Sequence, residues 1–524
     1  MATYKTPGVY VEEITTLPPS VAEVETAIPA FIGYTETGIP LAPKRISSLR
    51  EYQQFFGGAE PEKSISVTVA KSDGEAGVTI DAKARSKNVL FYALQLYFDN
   101  GGGPCFIVST GGFADGGNAS LDGYQDALDT LEKEDEPTLI VFPDAPYYLE
   151  AGKYYDLANL ALQQCETLGD RFTIIDVVDT GGMEKSVADF RNKISDIREQ
   201  AKYGAAYYPY LSTDLSYHYN EAEVTVAMAD DPVKLREVQD AVAAATAARA
   251  AANTAKADWD AKQAEAAANA ADAAAADAAT TARKKFERAD AKAKPLEDAA
   301  EALKKAMQNK PFSDLTNAQQ NQVKQKIRDL QMILPPSAAI AGVYASVDKT
   351  RGVWKAPANV SLNLVDGPTV KITDEDQQGL NIDTEDGKSV NAIRAFKGKG
   401  TIVWGARTLT GNDNEWRYIS VRRFFNMVEE SVKRSTHWAV FEPNDSNTWV
   451  LVRAMIENYL ILKWKEGALA GVKPEDAFFV RVGLGTTMTA DDVLNGLMNV
   501  EIGMAAVRPA EFIILKFSHK LQVS

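Results

Sequence analysis

Little in this chain suits covalent or metal chemistry. Its 524 residues hold two cysteines, Cys105 and Cys165, and three histidines, His218, His437 and His519. Two cysteines make neither a disulfide framework nor a zinc spacing, and three scattered histidines make no metal cluster, so no metal and no cofactor is expected. Positive charge is also short: 56 Lys and Arg stand against 72 Asp and Glu, a formal net charge of -16. Nucleic acid and anionic membranes both need basic patches, so neither is an expected partner. No stretch approaches the roughly 18 uninterrupted apolar residues of a membrane span. The opening MATYKTPG lacks the basic and apolar regions of a secretory signal, which predicts a chain made in a reducing cytoplasm.

Motif by motif, catalysis finds no footing. Gly101-Gly102-Gly103-Pro104 follows a helical pattern rather than a strand, and no Gly-Lys-Ser/Thr follows it, so it matches neither a P-loop nor a dinucleotide fingerprint. Asp374 to Glu385 approaches the spacing of a calcium loop, but Gln378 would have to be the ligand at its fifth place and flanking helices are not expected. An acidic surface turn is the expectation there. The histidines have no neighbouring Ser or Cys in a nucleophile-elbow context, and no G-x-S-x-G is present. Catalytic residues are therefore expected to be none.

What the chain does have is length and apolar content: 45% of its residues are hydrophobic, enough for about two to four domains. Ala30 to Tyr34, Cys105 to Val108, Thr138 to Phe142 and Phe172 to Val178 read as apolar strands. They alternate with helices expected at Ser86 to Tyr97, with Ser86 as cap, at Leu121 to Lys133 and at Tyr154 to Leu168. That alternation predicts a parallel α/β sheet covered on both faces. Residues 59–85 read as a small surface hairpin. After Asn220 the composition turns alanine-rich to about Lys294, closed by Pro295, Pro311 and a helix near Ala318 to Met332. One unbroken helix there would reach about 90 Å, so a helical hairpin with at least one fold-back is predicted. From Ala338 the pattern becomes α+β. Strands are expected at Thr401 to Ala406, His437 to Phe441 and Phe478 to Val482, with helices over Val421 to Val432, Asn447 to Lys465 and Ala490 to Ala506.

The two ends stand out. Tyr4 to Ile14 is β-rich after the Pro7-Gly8 turn, and in the final segment Ile513, Leu515, Phe517 and Leu521 alternate with Ile514, Lys516, Ser518 and Lys520. Termini are normally frayed and polar. A strand there leaves N–H and C=O groups that need a sheet edge, either its own or that of another copy.

Several runs resemble the contractile tail sheath family: Thr6 to Glu13 (TPGVYVEE), Arg351 to Asn359 (RGVWKAPAN), Val390 to Arg394 (VNAIR), Gly400 to Thr408 (GTIVWGART) and Arg508 to Ile513 (RPAEFI). The resemblance covers the N-terminal segment and essentially all of 336–524, more loosely 30–220. The alanine-rich part matches nothing in it. It implies a multidomain protein, α/β plus α+β: an N-terminal arm (1–22), an outer α/β domain (23–219 and 334–387), a peripheral helical insertion (220–333), an inner α+β domain (388–510) and a C-terminal arm (511–524).

Within that resemblance, Tyr4, Pro7, Gly8, Val9, Tyr10, Val11 and Ile14 belong to the donated N-terminal arm. Phe512, Ile513, Ile514, Leu515, Lys516, Phe517 and Lys520 belong to the C-terminal one. Pro18, Pro19, Arg508 and Pro509 are implied hinges. Asp491, Asp492, Asn495, Asn499 and Glu501 lie on a helix implied to face an inner tube, while Trp354, Trp404 and Arg407 are expected to be packing residues. The implied partners are other copies in hexameric rings, the tube protein, and baseplate and cap proteins. The implied setting is assembly in bacterial cytoplasm as part of a phage tail or a released particle. A static tube or shell protein, or an enzyme with a pocket at the strand ends of the α/β half, are the alternatives.

Overall fold

The structure is a computed structural model describing residues 20–70, 77–80, 85–113, 119–229, 232–268, 273–306, 308–310, 312–385 and 387–514. The chain forms two compact units. One holds the chain up to Ala59, Asn88–Asp214 and Ile333 onward; the other holds Glu60–Lys87 and Leu215–Met332.

The first unit is built on a nine-stranded sheet. At its centre Cys105–Gly112, Pro29–Thr35, Leu139–Val141, Phe172–Asp176, Gly204–Tyr208 and Val390–Phe396 lie side by side, each parallel to the next. These strands are apolar almost throughout because both faces are covered. Ala30, Ile32 and Tyr34 face one cluster with the helices Leu121–Thr130, Ala151–Leu168 and Met183–Lys193. Phe31 points the other way and meets Tyr97 edge to face at 5.1 Å, on the helix Leu90–Asp99. The expected parallel sheet is present.

Antiparallel strands close both edges: Lys44–Ile46 at one, Gly400–Val403 and Val360–Ser361 at the other. The strands over 390–403 were expected to open a separate inner domain at 388. They belong to the large sheet instead, because Val390 pairs with Ala206 in parallel register. The division expected between 387 and 388 falls inside one sheet.

Beyond it, the helices Ile419–Ser435 and Ser446–Lys465 share a second core with a two-stranded antiparallel sheet, Phe478–Val482 with Val500–Met504.

The second unit joins two stretches that read as separate in the sequence. Ile65–Ala70 pairs in parallel with Thr225–Ala229, and the four-stranded sheet is completed by Gly77–Ile80 and Gln308–Lys310. Its core includes Ile65, Val67, Val226, Val323 and Ile327. The alanine-rich stretch is the expected hairpin, with helices Pro232–Ala268 and Ala273–Ala306. Ala245, Ala252 and Trp259 recur at heptad spacing on one helix, Phe286, Ala293 and Ala300 on the other. Trp259 stacks on Phe286 at 5.5 Å.

Four local expectations are corrected. Pro295 does not close the hairpin but lies inside its second helix. Ser86 is not the cap of the next helix: it donates to Glu60 Oε2 at 2.6 Å, and the helix begins at Leu90. The acidic stretch is a helix, Asp374–Asn381, because Thr373 and Asp376 form a capping box. His437–Ala439 is a single 3-10 turn rather than a strand.

Candidate self-assembly site

A two-stranded sheet is marginal by itself, and each outer edge is a row of unpaired backbone groups. Among the described residues, neither Phe478–Val482 nor Val500–Met504 has a second partner strand. Ala505 N–H donates to Ala477 O at 2.8 Å, which makes 479/503 and 481/501 the hydrogen-bonded pairs. Backbone groups of Val480 and Val482, and of Val500 and Ile502, therefore point away from the partner strand. The sheet offers two open edges.

Beside the Val500–Met504 strand lies an apolar groove of about 860 Å³. Val500, Ile502 and Met504 form one wall, and Phe425, Val428, Val432, Val452 and Ile456 of the two helices form the floor. Val440 and Phe441 stand on the rim, 62% and 103% exposed, and Phe441 holds a left-handed φ of 69°. A phenylalanine is costly in that conformation. The loop is tied down by Asn444, which donates to Leu497 O at 2.9 Å and accepts from Trp449 Nε1 at 2.7 Å.

Both ends of the described chain are fastened to the body. At the N-terminal end, Ala22 and Val24 donate their N–H groups to Ser435 Oγ and Ser431 Oγ, each at 3.1 Å. Glu23 pairs with Lys463. Thr26 Oγ1 donates to Asp348 Oδ2 at 2.6 Å, and buried Arg423 grips both Asp348 and Thr26 O. At the C-terminal end, Arg407 Nε and Nη2 donate to Glu511 Oε1 and Oε2 at 2.9 and 2.6 Å. Burial would raise the Glu511 pKa, but Arg407, Asn381 and Tyr418 outweigh it and hold the carboxyl below its ordinary value. The N-terminal fastening had no signal in the sequence.

Of the residues singled out in the sequence, Tyr4, Pro7, Gly8, Val9, Tyr10, Val11, Ile14, Pro18 and Pro19 lie outside the described residues, as do Leu515, Lys516, Phe517 and Lys520. Phe512, Ile513 and Ile514 are described and exposed. The helix expected over 490–506 is not formed. A short helix, Ala490–Leu494, ends at Asn495, Gly496 turns with φ 74°, and Val500–Met504 is a strand. Pairing with Phe478–Val482 overrides the helical spacing. Asp491, Asp492 and Asn495 thus sit at the short helix, Asn499 in the turn and Glu501 on the strand, where it lies 3.6 Å from Arg481. They share no helix face.

An enzyme on the α/β half would place chemistry at the carboxyl ends of the parallel strands. Two buried acids stand there, each with its pKa raised to about 7, chiefly by burial. Asp144 accepts from Tyr34 N–H at 2.9 Å and Tyr124 OH at 3.0 Å. Asp176 accepts from Ser337 N–H at 2.8 Å and Ser337 Oγ at 2.6 Å, fixing the start of the helix Ser337–Arg351. Both carboxyl groups hold the fold together.

Comparison with known proteins gives concordant matches. The family pattern described as phage tail sheath C-terminal domain matches residues 411–520. The tail sheath protein of Enterobacteria phage T4 is 28% identical over 135 residues, 26% of this chain and 20% of that protein. The match thus spans about a fifth of that relative's length. Among solved structures, a chain of the PVC sheath complex, an extracellular contractile injection system in its contracted state, is 28% identical. It aligns over 99% of each chain with a TM-score of 0.60. A chain of the six-fold symmetrised anti-feeding prophage baseplate is 29% identical over 99% of this chain and 100% of its own, with a TM-score of 0.56.

Proposed function

The chain belongs to the contractile tail sheath family, and from that premise we propose that it is a structural subunit of a sheath that stacks as hexameric rings around an inner tube. Release of an extended state lets the subunits rotate and the sheath shorten, driving the tube through a target envelope. The terminal segments are strands donated to neighbouring copies. The partners are other copies, the tube protein, and baseplate and terminal cap proteins, in a phage tail or a released extracellular particle. The short helix Ala490–Leu494 with the loop after it, carrying Asp491, Asp492, Asn495 and Asn499, is the proposed tube-facing element.

One observation carries this reading: the sheet 478–482/500–504 has two open edges, and the apolar groove next to one of them is the shape a donated strand would roof. Each added backbone hydrogen bond is worth about 0.5–1.5 kcal/mol net, so a strand of several residues survives rotation of the body it is tied to. The difference in packing between two states of the same contacts drives the shortening.

Negative-stain microscopy of the purified full chain tests this. Ribbed tubes with the contracted, cogwheel cross-section are expected; smooth tubes of one form, or no polymer, would overturn it. Deleting Met1 to Ile14 is expected to leave a folded subunit that makes no ordered tubes. Normal tubes from that deletion would remove the N-terminal strand from the mechanism.

A further inference from the structure

We propose that the Arg407–Glu511 pair is the pivot of the C-terminal arm: it fastens the chain to its own body at Glu511, so the segment that reaches another copy begins at Phe512. This rests on the strand-donation reading, and it moves the point of flexure past Arg508 and Pro509, where the sequence alone had placed it.

The pair is built into the sheet. Arg407 is 4% exposed. Its N–H donates to Asn391 Oδ1 at 2.8 Å while Asn391 Nδ2 donates back to Arg407 O at 2.8 Å, so the backbone is stapled to the strand Val390–Phe396. The close approach requires Gly405, where a Cβ would fall 2.7 Å from Asn391 Oδ1. The guanidinium also donates to Asn381 O and Gly411 O, both at 3.2 Å.

Glu511 in turn receives four hydrogen bonds: two from Arg407, one from Asn381 Nδ2 at 2.8 Å and one from Tyr418 OH at 3.2 Å. Bidentate pairing of this kind fixes direction as well as position. Separating it would leave a buried guanidinium without its counter-charge, which costs far more than turning a backbone bond.

On the near side, Val507 N–H donates to Ala468 O at 3.1 Å. Arg508, Pro509 and Ala510 are therefore pinned at both ends, and Pro509 has its φ fixed by its ring. On the far side the hold stops at once, for Phe512, Ile513 and Ile514 are 68%, 79% and 80% exposed. Three successive apolar side chains left in water are what a segment awaiting a partner presents.

Hydrogen exchange on the free full-length subunit decides whether the pair is a lock. Glu511→Gln is expected to speed exchange of the Val507 and Arg407 N–H groups, which donate to Ala468 O and Asn391 Oδ1, by about tenfold or more, the loss of a charged hydrogen bond, with the helix Ile419–Ser435 unchanged. Exchange at both groups identical to the parent would overturn the proposal. A role confined to subunit stability is separated by two insertions of Gly-Gly. Placed after Arg508, the insertion is expected to loop out and leave tubes as in the parent. Placed after Glu511, it lengthens the arm by about 7 Å and is expected to abolish ordered tubes. Equal effects of the two insertions would overturn the pivot. If the parent forms no tubes the sheath reading itself falls, and the exchange experiment still decides the lock.

Discussion

Asp144, just past the strand Leu139–Val141, and Asp176, at the end of Phe172–Asp176, are fully buried, among Tyr34 and Tyr124 in one case and against Ser337 in the other. Their folded pKa is about 7 against an ordinary 3.8, so the folded state holds two protons that the unfolded chain releases at lower pH. The sign follows: their contribution is fully present below about pH 3.8 and is lost as pH rises to about 7, by at most about 1.4 kcal/mol per pH unit for each group. The thermal midpoint is expected to fall between pH 5 and pH 7 and then level off. Asp144→Asn is expected to flatten that slope and to raise the midpoint at pH 7.5; an unchanged slope would show that Asp144 stays ionised. Glu511 behaves oppositely, its folded pKa being depressed below 4.5. Its contribution is intact above that value and lost only as pH falls below it, so Glu511 adds nothing to the fall between pH 5 and 7. At this scale the sequence was partly readable. Arg407 was expected as a packing residue and is buried, but its partner stands 104 residues away, and no local pattern encodes such a pairing.

Elements whose character is local were legible, and those decided by distant partners were not. Leu139–Val141 is visible as a continuous apolar run, and Phe172–Asp176 as a largely apolar one, because both faces of the sheet are covered. The alanine-rich helices are visible because alanine is the strongest helix former. Val493, Val500 and Met504 recur at spacings that fit a helix, yet Val500–Met504 is held as a strand by Phe478–Val482. In the same way Ile65–Ala70 reads as half of an isolated hairpin until Thr225–Ala229 arrives beside it. The helical hairpin invites its own test. Ala252 and Ala293 are fully buried along its seam, where the small side chain lets the helices approach closely. Ala252→Leu, which raises local apolarity and keeps helix propensity, is nevertheless expected to destabilise the hairpin by about 1–3 kcal/mol through overpacking. Circular dichroism melts read the loss; a higher midpoint would mean that the seam has room.

At the scale of the whole molecule, the chain crosses between its two units four times, because the second unit takes Glu60–Lys87 as well as Leu215–Met332. The strand Ile65–Ala70 is the reason. It lies between Gly77–Ile80 and Thr225–Ala229 in the four-stranded sheet, and its Ile65 and Val67 share a core with Val226, Val323 and Ile327. Removing Leu215–Met332 alone, with a short glycine linker joining the cut ends, takes away that neighbour and that core but leaves Ile65–Ala70 and Gly77–Ile80 behind. A bare two-stranded hairpin with an apolar face is unstable in water and prone to pair with other chains, so this variant is expected to aggregate on size-exclusion chromatography. Removing both stretches leaves every strand of the nine-stranded sheet and the two-stranded sheet with its groove. That double deletion is expected to elute as a soluble species and, if the proposed assembly is right, to form tubes under the microscope. Aggregation of both variants alike would mean that the first unit depends on the second for its fold. Solubility of both would mean that Ile65–Ala70 finds satisfaction without Thr225–Ala229.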